Sequence, residues 1–279
     1  SAAPASPHGM GDDCAQLPPS NYAQLITVDP VIYGKHFDDQ IAPRRVGAKL
    51  LKRNLSDIAA MGGTPTSAVI ALQLDPRTNL KWLEAFYRGL AACARQYDVN
   101  IVGGDVSQAE DHFSASLTLL GHATSKRVLT RTGARIGDSL YVTGKLGDSL
   151  ASGRHYRFKP RLAEGAWLAK QRAVNAMMDL SDGLGKDLHA LIPDGASASL
   201  DHEKIPLHQG CDLNAALSDG EDYELLFTVP PQKQALLQQM IKGLSLQITP
   251  IGIIQHHKQK IDMGQTIPQF VCDIIYFHL

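Results

Sequence analysis

Short apolar runs of strand character alternate along this chain with longer runs whose apolar residues recur at helical spacing. That alternation confines the fold to layered α/β or α+β architectures. Residues 43–61 (PRRVGAKLLKRNLSDIAAM) read as a helix: Pro43 suits a first turn, Val46, Leu50, Leu51, Leu55 and Ile58 form one apolar stripe, and Gly62-Gly63 stops it. Residues 79–96, 183–191 and 231–243 also read as helices, with Ser181 or Asp182 placed to cap the second of these. Residues 66–74, 113–122, 139–143, 176–180 and 224–229 read as strands, and 24–31 (QLITVDPV) as a strand broken by Pro30. Residues 99–102 read as a short buried strand that ends at Gly103-Gly104-Asp105.

At roughly 150 residues per domain, 279 residues suggest two domains. The polar, basic stretch 124–135 separates two apolar blocks, which places the domains at 1–128 and 129–279. Lys and Arg number 27 against 28 Asp and Glu, so no basic excess exists to neutralise a nucleic-acid backbone. No apolar stretch approaches the length of about 18 residues that a membrane-spanning helix needs. The opening SAAPASPHGM has no basic segment followed by an apolar run, so it is not a secretory signal, and SAAPASPH reads as disordered or truncated. Cys14, Cys93, Cys211 and Cys272 lie far apart with no C-x-x-C pair, which reads as buried thiols in a reducing cytoplasm.

The acidic residues are skewed: 22 Asp against 6 Glu. Asp favours turns and caps, but short carboxylates also suit hard divalent cations. The segments Gly11-Asp12-Asp13, Asp29, Asn54 to Asp57, Gly104-Asp105, Asp179-Leu180-Ser181-Asp182-Gly183 and Gly220-Glu221-Asp222 sit at the ends of expected elements, beside glycines or small residues. Singly, each has an ordinary reading as a turn or a cap. Together they point to one edge of an α/β sheet, where like charges gathered near one another call for cations among them. An all-oxygen donor set favours Mg²⁺ over zinc, and carboxylate-held Mg²⁺ commonly also holds substrate phosphates. Gly144-Lys145-Leu146-Gly147 is a weak phosphate-loop signal, and Arg131 is either a fixed cation for a phosphate chain or a solvated linker residue. No Walker motif, kinase H-R-D or D-F-G set, G-x-S-x-G elbow or H-E-x-x-H pattern occurs.

Six strings in order, Gly9-Met10-Gly11-Asp12-Asp13, NLSDIAAMGG (54–63), Val102-Gly103-Gly104-Asp105, LTRTGA (129–134), DLSDGL (179–184) and GEDYEL (220–225), resemble the thiamine-monophosphate kinase family. That family lies within the aminoimidazole ribonucleotide synthetase superfamily. The resemblance covers nearly the whole chain and implies the superfamily's two-domain fold, mixed sheets flanked by helices, with the N-terminal domain binding ATP and Mg²⁺. It implies phosphorylation of thiamine monophosphate to thiamine diphosphate by ATP, by direct in-line transfer with several Mg²⁺ ions and no phosphoenzyme, in a homodimer built through the N-terminal domains. It assigns magnesium to Asp13, Asp29, Asp57, Asp105, Asp179 and Asp182. It assigns ATP to Gly104, Asp105, Arg131 and Ser181, with Tyr87 as a further candidate, and the thiamine phosphate to His36, Glu221 and a C-terminal aromatic, Tyr276 or Phe277. Two other readings stay open: a sister enzyme that uses ATP to activate an amide or carbonyl oxygen, and a catalytically silent nucleotide-binding relative. The chain departs from the family pattern at Val28, at Pro30 and at Asp219.

Overall fold

The computed structural model describes residues 21–110, 113–241, 247–256 and 261–262. The chain divides into two compact units, one of Ser1–Val128 with Tyr156–Leu162, the other of Leu129–His155 with Ala163–Leu279.

In the first unit, β1 (Gln24–Ile32), α1 (Pro43–Ala60), β2 (Gly63–Leu74), α2 (Leu80–Gln96), β3 (Asn100–Gln108) and β4 (Ser114–Ala123) build a four-stranded sheet in the order β1-β4-β2-β3. Only the β2–β3 pairing is parallel; β4 runs antiparallel to both of its neighbours. The α1 stripe buries Leu50, Leu51 and Leu55 completely in a core with Leu72, Phe86, Leu117 and Leu119. Ala42 offers no side-chain cap to α1, but Pro43 at the first turn has no N–H to satisfy. The Asn79 side chain accepts the Lys81 N–H at 2.8 Å and starts α2. The two helices touch backbone to backbone. A Cβ at Gly89 would lie 1.8 Å from the Arg44 carbonyl oxygen, and one at Gly47 would lie 2.1 Å from that of Phe86.

Two expectations for this unit are corrected. Pro30 does not break β1: it stands in the ladder opposite Ser116, on an edge strand where its missing N–H deprives no neighbour. Nor does β3 end at Gly103-Gly104-Asp105. The strand continues through them to Gln108, and its second half is exposed. The glycine is there for close packing, since a Cβ at Gly104 would sit 2.2 Å from the Ile70 carbonyl oxygen on β2.

The second unit contains β5 (Ser139–Thr143), the start of α3 (Arg154–Arg157), most of α4 (Leu162–Lys170), β6 (Met177–Asp179), α5 (Leu184–Leu191), β7 (Ala196–Leu200), α6 (Leu213–Ser218), β8 (Leu225–Val229), α7 (Gln234–Ile241), β9 (Ile248–His256) and β10 (Ile261–Asp262). Its sheet runs β10-β7-β9-β5-β8-β6 over a core that includes Leu140, Val142, Leu184, Leu188, Leu226 and Ile251. β7 and β9 escaped the periodicity reading. Pro250 and Gly252 interrupt the apolar run of β9, and Gly252 is needed because a Cβ there would lie 2.3 Å from the Ser199 carbonyl oxygen. α5 is capped by Gly183 at φ +99°, not by Ser181 or Asp182. α7 follows a 3-10 turn at Pro231–Lys233, and the expected helix end at 243 lies outside the described residues. No described helix is long and apolar enough to cross a membrane.

Candidate functional site

In the first unit, Arg53 and Asp57 of α1 reach β1. Thr27 on β1 donates its hydroxyl to Asp57 Oδ2 at 2.5 Å. Arg53 Nη2 lies 3.3 Å from Asp29 Oδ1, and its Nη1 donates to the Pro30 carbonyl at 2.7 Å. Asp57 and Asp29 are therefore held on neighbouring elements. Asn54, one turn before Asp57, donates to the Leu50 carbonyl, while its Oδ1 is buried without a hydrogen-bond partner among the described residues. A buried amide oxygen with no donor is an unfilled acceptor beside a carboxylate. Asp105, exposed on β3, is not joined to them. β1 and β3 are opposite edges of the sheet, three strand spacings or roughly 14 Å apart. Tyr87 is half-buried against the core, and burial raises its pKa. Gly104 lies in β3 beside Asp105.

His36 lies in the turn after β1. Its Nδ1 accepts the Ile32 N–H at 3.1 Å, so the neutral ring carries its proton on Nε2. Its carbonyl accepts from Lys49 Nζ at 2.8 Å, and this lysine on α1 is fully buried. Next to the turn, Tyr33, Phe37, Trp82 and Phe113, with Asp38 and Asp39, line a cleft of about 170 Å³.

In the second unit three loops interlock. Gly147 N–H donates to both oxygens of Asp222, at 3.0 and 3.2 Å, and Asp148 N–H donates to Asp219 Oδ2 at 2.9 Å. Thr143 Oγ1 donates to Glu224 Oε2 at 2.6 Å and accepts the Leu225 N–H. The glycine loop 144–147 thus spends its Gly147 N–H on a carboxylate of the protein, not on a phosphate. Glu221 N–H donates to the Ser181 carbonyl and Tyr223 N–H to that of Leu180, both at 2.8 Å, which brings the DLSDG and GEDYE segments side by side. Asp179 is buried at the end of β6, and Asp182 is exposed and paired with Lys186 at 2.9 Å. Asp187, which the sequence did not single out, accepts the N–H groups of Ser181 and Asp182, both at 2.9 Å. Burial pushes its carboxyl up to about 7; those two N–H bonds oppose the rise, and the Asp179 and Asp182 charges add to it. Burial likewise pushes Asp222 up to about 7, against the pull of the Gly147 N–H and of Arg154, whose Nη2 lies 3.5 Å away. Arg131 is exposed on a 3-10 turn.

His155 also escaped the sequence reading. Its Nδ1 lies 3.1 Å from Glu221 Oε2. It is one histidine in a basic run, RHYRFKPR, with no spacing signal to mark it. Among the described residues no group of three or more Asp, Glu, His or Cys side chains is placed to hold a metal. Asp13, Tyr276 and Phe277 lie outside the described residues.

Two mixed α/β units carry the Asp-bearing segments, some within strands (Asp29, Asp105) and some at element ends (Asp57, Asp179), and the comparisons place the chain in the AIR synthase-related class. The family model for the AIR synthase related protein, N-terminal domain, matches residues 11–123. Thiamine-monophosphate kinase of Salmonella typhimurium is 37% identical over 274 residues, covering 88% of this chain and 83% of that protein. The crystal structure of thiamine-monophosphate kinase from Stenotrophomonas maltophilia superposes with a TM-score of 0.80 at 31% identity, covering 91% of this chain and 90% of that one. A structure of AaThiL complexed with AMPPCP and TMP gives 0.74 at 31% identity, covering 86% and 83%. The chain belongs to the thiamine-monophosphate kinase family.

Proposed function

We propose that this protein is an ATP-dependent kinase that converts thiamine monophosphate to thiamine diphosphate. The observation that carries the reading is the junction in the second unit, where Ser181 and Asp182 of the DLSDG loop are hydrogen-bonded into one framework with Glu221 of the GEDYE loop. The relative complexed with AMPPCP and TMP supports both ligands. Phosphoryl transfer asks for positioning and charge neutralisation more than covalent chemistry. The acceptor phosphate is already a nucleophile, so no strong general base is required, and the γ-phosphoryl group passes to it in line.

The donor set suits Mg²⁺: carboxylates, with the unfilled Asn54 Oδ1 one turn before Asp57, and Asp179 and Asp182 close enough for their charges to act on Asp187. In this reading Asp29, Asp57, Asp105, Asp179 and Asp182, together with Asp13, hold the ions. Magnesium held there would neutralise phosphate charge. Gly104, Asp105, Arg131, Ser181 and Tyr87 meet ATP. His36 offers its Nε2–H to the phosphate of the substrate, while Glu221 and Tyr276 meet its rings. The protein works as a homodimer. Ile26 and Val28 on the edge strand β1 are exposed, as is Val106 on the opposite edge β3, and a second copy would cover them. The free thiols Cys93 and Cys211 suit a cytoplasmic setting.

The test is to incubate the protein with ATP, Mg²⁺ and thiamine monophosphate and separate the products by chromatography. Equal amounts of ADP and thiamine diphosphate are expected, and EDTA should stop both. ADP without thiamine diphosphate would overturn the substrate reading.

A further inference from the structure

We infer that His155 and Tyr223 are positioning residues that clamp the Glu221 carboxylate and so set affinity for the organic part of the phosphorylated substrate. This rests on the reading that Glu221 meets thiamine monophosphate. A carboxylate repels phosphate, so its target on that molecule is the cationic thiazolium or the N–H donors of the aminopyrimidine.

Both oxygens of Glu221 are held. His155 Nδ1 lies 3.1 Å from Oε2, and the Tyr223 hydroxyl donates to Oε1 at 3.2 Å. The side chains of His155 and Glu221 are 10% and 15% exposed, and Tyr223 is buried. The backbone beneath is in the left-handed region at three of four consecutive positions: Gly220 at φ +70°, Glu221 at +54° and Tyr223 at +53°. Non-glycine residues rarely adopt that conformation, and they keep it only where the surroundings enforce it. Here the Ser181 and Leu180 carbonyls fix the Glu221 and Tyr223 N–H groups, and Ser149 Oγ donates to the Gly220 carbonyl. The Ser149 carbonyl in turn accepts the His155 N–H at 3.0 Å, so the clamp and the strained loop share one framework. A carboxylate that needed only solvation would not call for a buried imidazole on one oxygen and a buried phenol on the other.

Initial rates measured against each substrate in turn test the clamp. His155→Leu should raise KM for thiamine monophosphate about tenfold, the loss of one hydrogen bond to a charged group, and leave kcat and KM for ATP within about twofold. His155→Asn, whose amide N–H falls near the place of Nδ1, should hold that KM to within about threefold of the parent. Tyr223→Phe should raise it about fivefold. In a Glu221→Ala background, His155→Leu should add nothing. The clamp is overturned if His155→Leu leaves this KM unchanged, if Asn fails to rescue, or if the effects add in the Glu221→Ala background. If Glu221→Ala itself leaves KM for thiamine monophosphate unchanged, the assignment of Glu221 fails instead. Should His155→Leu not fold, Tyr223→Phe decides alone, and an unchanged KM refutes the clamp.

Discussion

Replacing Asp222 with Asn tests whether the loop framework of the second unit buries a protonated carboxyl. Burial raises this group from an ordinary 3.8 to about 7, although Gly147 N–H and Arg154 pull the other way. Because the folded pKa lies above the unfolded one, the folded protein binds one more proton between about pH 4 and pH 7. Stability should therefore fall as pH rises through that window, by at most about 1.4 kcal/mol per pH unit, and level off above it. Across the whole window the loss has a ceiling of about 4 kcal/mol, and partial solvation of the loop makes about 2 kcal/mol the working figure. The Asn variant keeps an acceptor for Gly147 N–H and has no charge to bury, so it should match the parent near pH 4 and exceed it by about 2 kcal/mol at pH 8. Urea denaturation of both proteins at half-unit steps from pH 4 to 8 measures this directly. A stability difference that stays flat across the series would show that Asp222 is ionised in the fold and that the argument from burial is wrong.

Three further outcomes are expected. Asp57→Asn should abolish ATP turnover while shifting the urea midpoint little; a variant with full activity would remove Asp57 from the metal set. Gly89→Ala should cost about 3 kcal/mol or more, because its Cβ meets the Arg44 carbonyl and α1 and α2 cannot close; a cost below about 1 kcal/mol in urea would contradict that packing. Ile26→Glu combined with Val28→Lys should convert a dimer to a monomer in light scattering; a parent that is itself monomeric would refute the homodimer.

Local rules carried much of the architecture into the sequence. The α1 stripe, the Pro43 start and the strand Ser139–Thr143 follow from periodicity and backbone chemistry that act within a few residues. The chemistry-bearing strings were legible too, since glycine beside aspartate marks a turn or a tight approach wherever it falls. β9 was not legible, because Pro250 and Gly252 are tolerated only where the neighbouring strand takes the space they leave. Gly104 reads alone as a strand terminator, yet its missing side chain is what lets β3 lie against Ile70.

The partners of the site residues belong to the tertiary structure. Aspartate at 29, 57, 179 and 182 could be named from their places at expected element ends and from the family resemblance, but the Arg53 beside Asp29, the Thr27 hydroxyl on Asp57 and the buried Asp187 under the DLSDG loop could not. His155 and Glu221 are separated by 65 intervening residues and no repeat links them; only the fold of the second unit sets imidazole against carboxylate. Residue type and local spacing declare which chemistry a chain carries, because they act through bonds and short-range sterics. Charge state, orientation and pairing arise through space, from burial and from neighbours remote in sequence, and so the packed structure alone determines them.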